Sequence, residues 1–277
     1  MDWFKFSRDM RIALYQCGQV ATRFKGKVNR EEKEPEQYQL STSISDVDRV
    51  CQEIILLQAL RVMPNIEISG EEIEELPSNI RELFSRNSNR YVLVVDPIDG
   101  TDCYLSGGNE YAHMLGILDQ ETGLMLYSSV YFPEWGKLYL AIRGAGSFVE
   151  DRIFSSPVRL NPENPPSTFG EVKRLRDSDY REFDRAGFSL DARDNKSAAY
   201  AQIRVAEGNL GAMAMRHFHG YDTAIPSLII EESGGTVLGD DGHRVTYEKA
   251  MPRIPLVISS LSSEFSEVLY QAQKKAE

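Results

Sequence analysis

A chain of 277 residues, 42% hydrophobic and 26% charged, holds enough apolar material for one large globular domain or two intimately packed ones. Its net charge of −11 argues against non-specific DNA or RNA binding, which leans on Lys and Arg to neutralise phosphates, so no nucleic-acid polymer is expected as a partner. No apolar stretch reaches the roughly 20 residues that span a bilayer, and Met1-Asp-Trp-Phe-Lys-Phe lacks the pattern of a signal peptide, so a cytoplasmic location without a membrane partner is expected.

Trp3, Phe6, Met10, Leu14, Val20 and Phe24 recur at helical intervals and predict an amphipathic helix over residues 2–25. Cys17 on it, with Cys51 and Cys103, makes an odd, widely spaced set that fits free thiols in a reducing compartment. Residues 27–39, dense in charge and containing Pro35, read as an exposed loop. Ser43-Ile-Ser45-Asp46-Val47-Asp48 opens a second helix that ends before Pro64, with Ser43 or Ser45 as its cap and Asp48 as a first-turn acid. Ile66-Glu-Ile68 is a short strand leading into Gly70-Glu71-Glu72, whose acids belong to a run that includes Glu74 and Glu75. A short helix over 77–87 follows.

Tyr91 to Val95 reads as a strand buried on both faces, ended by Asp96 and stopped by Pro97. Asp96 and Asp99 then stand three residues apart before Gly100-Thr101. Two carboxylates at one sheet edge are costly unless a divalent cation lies between them, and amides at the start of a following helix can hold a phosphate. A plain polar turn explains the same residue types, since Asp, Pro and Gly are common in turns. Cys103 beside them reads as a small filler, with no partner base evident.

Tyr111–Leu118, Leu124–Tyr131, Lys137–Ile142 and Ser147–Val149 predict a run of antiparallel strands. Asn161-Pro-Glu-Asn-Pro-Pro166 marks a boundary, dividing the chain into halves 1–160 and 161–277 that work as one unit. The second half offers a strand over Phe169–Lys173, helices over 177–186 and 197–206, and a helix over 222–232 with Asp222 near its start. Strands at Thr236–Leu238 and Pro255–Ser259 precede a closing helix from Glu264, capped by Ser262 or Ser263. Strands and helices alternate throughout, the mark of an α/β (α+β) protein whose sheets are covered by helices.

Gly70-Glu71-Glu72, Asp96-Pro-Ile-Asp99-Gly-Thr101 and Tyr221-Asp222-Thr-Ala with Glu231-Glu-Ser-Gly-Gly235 together resemble the lithium-sensitive, metal-dependent phosphomonoesterases of the inositol monophosphatase family. That family includes fructose-1,6-bisphosphatases and 3′(2′),5′-bisphosphate nucleotidases, and the likeness runs from about Ser43 to Ser260. It implies a layered α/β/α/β/α sandwich. It implies that Glu71, Asp96 and Asp99, the carbonyl of Ile98, and Asp222 bind metal, with two or three Mg²⁺ per active site. The same resemblance implies that Asp48 and Thr101, together with Glu71, activate the attacking water, and that Asp99, Gly100 and Thr101 hold the phosphate. Hard oxygen ligands without thiolate suit Mg²⁺ over zinc. The reaction expected is Mg²⁺-dependent hydrolysis of a small soluble phosphate ester, a sugar or inositol phosphate, with inhibition by Li⁺. Family members are often homodimers, although nothing in this sequence marks an interface.

Departures from the family pattern bear on substrate. Tyr221 replaces the usual Trp, and Ile225-Pro226 replaces Ala-Gly. Met215 stands where inositol-cleaving members place a Glu, and a thioether accepts no strong hydrogen bond from a sugar hydroxyl. Ser197-Ala198 at the pocket edge stays family-like. Arg216, His217 and His219 near Asp222, and Lys196, are candidate contacts to a second phosphate or other anion, which favours a bisphosphate nucleotidase as the alternative; as surface residues they would carry no such role. A different class of reading is a non-catalytic member that keeps the fold for metal binding or assembly. A cysteine phosphatase built on Cys103 lacks the looped Arg that such chemistry needs.

Overall fold

Trp3–Phe24 and Asp46–Val62 pack against each other as a helical pair. The computed structural model describes residues 2–27, 31–32, 43–73, 76–85, 90–172, 175, 177–185, 187–191, 195–261 and 270. Asp2 caps the first helix by accepting the amide of Lys5 at 3.0 Å, and Phe6, Met10, Leu14 and Cys17 turn one buried stripe inward. Of the two serines expected to cap the second helix, Ser45 takes the position, while Ser43–Ile44 pairs as a short antiparallel strand with Glu31–Glu32.

The helical pair lies on a seven-stranded sheet. Its spatial order is Glu67–Gly70, Tyr91–Asp99, Ala112–Asp119, Leu124–Phe132, Lys137–Ile142, Gly146–Glu150 and Val158–Arg159. Only the first pair is parallel. The parallel pair needs a crossover, and the helix Ser78–Ser85 lies in that connection. A second sheet of five strands runs in the order Ser189–Leu190, Thr168–Glu171, Ala212–Phe218, Ile254–Ser260 and Thr236–Gly239.

Helices Ala198–Ala206 and Gly220–Glu232 fill the space between the two sheets, and Asp177–Arg185 lies beyond the second. Three apolar layers follow from this stacking. One joins the first helical pair to the first sheet through Leu14, Ile55, Leu93 and Leu115. A central layer holds Val94, Ile203, Met215 and Ile229, and an outer one holds Phe169, Phe183 and Ile258. The architecture is the expected α/β/α/β/α sandwich.

Two expectations need correction. Pro97 does not stop the central strand, which runs on to Asp99. Asp96 pairs with Met114 and Asp99 with Ala112, so one extra residue is accommodated as a bulge. A proline's missing amide is tolerated at such an irregularity. No element was expected over Ala212–Phe218, yet it is the middle strand of the second sheet. Met213 and Met215 turn to the central core and Ala212 and Ala214 to the outer one, so both faces are buried and no polar alternation marks it.

The loop expected over 27–39 lies outside the described residues apart from Lys27, Glu31 and Glu32. So do Glu74, Glu75, residues 86–87 and 186, Lys173, and, apart from Tyr270, the closing helix from Glu264 with its Ser262 or Ser263 cap. No helix among the described residues is long and apolar enough to cross a membrane.

Candidate active site

The apolar run of the central strand buries Asp96 and, past the bulge, Asp99 at the same sheet edge. The buried His113 on the neighbouring strand faces the bulge carbonyl, its Nδ1 2.5 Å from the oxygen of Pro97. Burial pushes this imidazole down to about 4, so it is neutral at physiological pH and suited to donate from Nδ1. Gly100 then turns the chain with a φ of 82° into the short helix Thr101–Leu105. A Cβ at Gly100 would lie 2.8 Å from the carbonyl oxygen of Glu110 and 2.9 Å from Ser197 Cβ, so both the turn and the close approach need glycine.

Three other segments converge on this edge. Glu71 donates its amide to the Val95 carbonyl at 3.3 Å, which sets it beside Asp96. Gly70 just before it leaves no room for a side chain, since a Cβ would fall 2.1 Å from Val95 O. Asp222 is in the first turn of the helix Gly220–Glu232 and accepts the amide of His219 at 3.1 Å. Asp48, fully buried, accepts from the amide and hydroxyl of Ser45 through Oδ2, while its Oδ1 lies 3.3 Å from Thr101 Oγ1. The Thr101 hydroxyl also donates to the Ile98 carbonyl at 2.9 Å.

Asp96, Asp99 and Asp222 each bring a carboxylate oxygen within 4.8 Å of the other two. Their surroundings differ. Asp99 is fully engaged by the start of the helix Ala198–Ala206: it accepts the Ser197 hydroxyl, the Ala198 amide at 3.2 Å and the Ala199 amide at 2.9 Å. Both oxygens of Asp96 are buried with no hydrogen-bond partner. A buried carboxylate so placed, beside two others, is an expensive arrangement that a hard divalent cation relieves, so the residues present fit such an ion.

The protonation of the cluster agrees. Desolvation, then the charges of Glu71, Asp99 and Asp222, hold Asp96 well above the usual carboxylate range. Asp222 is raised for the same reasons, with the His219 amide and the Arg253 charge opposing. Asp99 is pushed up only to about 6, because Ser197 and the helix amides offset part of its desolvation. Without cations, Asp96 and Asp222 take up protons more readily than ordinary carboxylates do.

A cleft open to solvent lies above the cluster. Glu71, Asp96, Ile98, Asp99, Gly100, Thr101, Ser197, Ala198 and Asp222 line it. Asp48 sits behind Thr101, off the lining. Met215 is a correction: its side chain is buried in the central core, because that face of its strand meets the inter-sheet helices. Arg216 and His217 also stay off the lining, whereas Lys196, Phe218, His219, Tyr221 and Arg253 belong to it. Sequence reading gave no signal for Arg253. Cys103 is buried, and burial raises its thiol, which disfavours the thiolate a cysteine nucleophile needs.

A sequence profile described as the inositol monophosphatase family matches residues 7–276. A putative Nus factor SuhB of Neisseria meningitidis serogroup B is 28% identical over 238 residues, covering 83% of this chain and 86% of that protein. A histidinol-phosphatase of Chlorobaculum parvum is 29% identical over 199 residues, 70% of this chain and 71% of its own. Among solved structures, an IMPase/NADP phosphatase complexed with Mg²⁺ and phosphate superposes with a TM-score of 0.74 at 20% identity, over 97% of this chain and 95% of that one. The last is a likeness of fold.

Proposed function

The chain belongs to the inositol monophosphatase family and is a phosphoric monoester hydrolase, and from that premise we propose that it releases phosphate from a small soluble sugar or polyol phosphate in a Mg²⁺-dependent reaction. The observation that carries this reading is the buried, unpartnered Asp96 carboxylate grouped with Asp99 and Asp222 beside the Gly100–Thr101 turn. Glu71, Asp96, Asp99 and Asp222, with the Ile98 carbonyl, would hold two or three cations. When bound, these ions neutralise charge on the ester and lower the pKa of a water molecule.

The chain's own groups supply the rest. The amides of Gly100 and Thr101 hold phosphate oxygens at the cleft floor. Thr101 lines the cleft and its Oγ1 lies 3.3 Å from Asp48 Oδ1, so a proton that reaches Thr101 has an acceptor behind it. Ser197 and Ala198 fix the orientation of Asp99. Met215, in the core, offers nothing to a polyol hydroxyl.

The experiment is phosphate release from a panel of sugar phosphates, inositol phosphates and adenosine bisphosphates, with and without Mg²⁺. Release that needs Mg²⁺ supports the proposal, and metal-independent release counts against it. The name of the Neisseria relative, a putative Nus factor, favours a second reading, a role in assembly beside the phosphatase activity. Absence of release over the whole panel would leave that role alone standing. A homodimer in the cytoplasm is part of the primary proposal, checked by light scattering and fractionation.

A further inference from the structure

We propose that Gln202 is a positioning residue of the metal site: it supplies the hydrogen bond that Pro226 withholds from Asp222, and so fixes this acid against the helix that grips Asp99. The inference rests on the metal-dependent reading and names what sets the geometry of its ligands.

Pro226 lies inside the helix Gly220–Glu232, past its first turn. In an α-helix the amide of residue 226 would bond the carbonyl of residue 222. Proline has no N–H, and its ring crowds the carbonyl four positions earlier. The carbonyl so deprived belongs to Asp222. A backbone oxygen away from water needs a donor, and here one comes from outside the helix. Gln202, fully buried on the neighbouring helix Ala198–Ala206, donates from Nε2 to the Asp222 oxygen at 2.8 Å. Nε2 also donates to the Ala198 carbonyl at 3.2 Å. Both neighbours are acceptors, so the amide nitrogen must be the atom that faces them. Its Oε1 is buried with no hydrogen-bond partner, so the nitrogen alone makes the bridge.

That bridge joins two acids. Ala198 donates its amide to Asp99 at 3.2 Å, and its carbonyl receives Gln202. A line of hydrogen bonds thus runs from Asp99 through Ala198 and Gln202 to Asp222. The Asp222 carboxylate is held separately by the His219 amide at 3.1 Å, so both ends of the residue are pinned. Asp99 and Asp222 each bring an oxygen within 4.8 Å of the other and of Asp96. Mg²⁺ is exacting about ligand geometry. A turn left loose at Pro226 would let the separation of the two acids drift and weaken the ion's binding.

The test is a double-mutant cycle on Mg²⁺ affinity, measured by calorimetry on chelator-treated protein. Gln202→Met keeps the volume, removes the donor, and should weaken Mg²⁺ binding by about tenfold. At saturating Mg²⁺ its KM for whichever ester the panel identifies should match wild type, since Gln202 is off the cleft lining. Pro226→Ala restores an amide at position 226, so the helix can bond the Asp222 carbonyl itself. That variant should bind Mg²⁺ within about twofold of wild type, and Gln202→Met added to it should change affinity no further than that. Equal weakening by Gln202→Met in both backgrounds overturns the proposal, because Gln202 then acts independently of Pro226. Unchanged Mg²⁺ affinity in Gln202→Met overturns it as well. If Gln202→Met alone does not fold, the double variant decides. A folded protein of near wild-type affinity supports the compensation, and an unfolded or weakly binding one overturns it. Wild-type protein that binds Mg²⁺ while the cycle shows no coupling removes only this inference; wild-type protein that binds no Mg²⁺ removes the metal-dependent reading too.

Discussion

Ser197 donates its hydroxyl to the carboxylate of Asp99, which lies 98 positions earlier in the chain. Ser197 also accepts the amide of Tyr200 at 3.0 Å, so one side chain caps its own helix and fastens an acid of the other half. Asp99 in turn completes the cap of that helix through the amides of Ala198 and Ala199. Positive helix ends stabilise carboxylates, and here the carboxylate is one of the proposed metal ligands.

Ser197→Ala should therefore act on both stability and metal binding. A loss of about 1 kcal/mol in folding stability is expected from the missing cap and hydrogen bond. The Mg²⁺ concentration for half-maximal activity should rise several-fold, because Asp99 is left less well oriented. Chemical denaturation and a Mg²⁺ titration of phosphate release measure the two effects. An unchanged Mg²⁺ midpoint would separate Ser197 from the metal site.

Asp96→Asn should abolish Mg²⁺-dependent phosphate release and, in the same protein, raise the melting temperature of the metal-free form. The second effect follows because the substitution removes a buried carboxylate whose oxygens lack partners. Added Mg²⁺ should stabilise the variant less than it stabilises the wild type. An active variant contradicts the ligand assignment, and a less stable metal-free variant contradicts the account of the cluster.

The pH dependence of the metal-free protein has a defined sign. Asp99 titrates at about 6 when folded, against about 3.9 unfolded. A raised carboxylate contributes stability that is fully present below the unfolded value and is lost as pH rises through the folded one. Metal-free wild-type protein should thus lose stability relative to Asp99→Asn between about pH 4 and 6. Calorimetry of both proteins in chelator checks this, and a wild-type advantage that grows with pH in this window would contradict it.

Asp119 predicts the opposite trend. Arg90 approaches it through two hydrogen bonds, of 2.8 and 2.7 Å, and holds its carboxyl below the usual range, with the Glu121 amide and Thr122 hydroxyl helping. A depressed carboxylate contributes stability above its unfolded pKa that is lost as pH falls through the folded value. Asp119→Asn should be less stable than wild type at neutral pH, with the difference closing below about pH 4. A constant difference across an acid titration would show a contribution independent of the charge.

Inhibition by Li⁺ is expected from the family resemblance. Phosphate release assayed across a millimolar Li⁺ series checks it, and insensitivity at the upper end would set this chain apart.

The sequence was most informative where chemistry is contiguous. Tyr91 to Thr101 holds a buried strand, two of the three grouped acids and the Gly100 turn within one stretch, because burial and turn chemistry are local properties. Pro97 misled as a terminator, since whether a proline ends a strand depends on the partner register, here a bulge braced by His113. Ala212–Phe218 stayed hidden because two apolar layers enclose it and leave no polar face to count. Met215 was placed by resemblance on the substrate side, but the strand's alternation turns it inward. Arg253 reaches the cleft through the left-handed backbone of Met251 and a bond to His217, which no spacing rule anticipates.

The split of the acid cluster between a strand of the first sheet and a helix wedged between both sheets has a consequence for synthesis. Asp96 and Asp99 leave the ribosome long before Ser197 and Asp222 exist, and a nascent chain can keep both carboxylates hydrated until the later helices arrive. Their dehydration then falls in the last stage of docking, where magnesium in the surrounding medium can ease it.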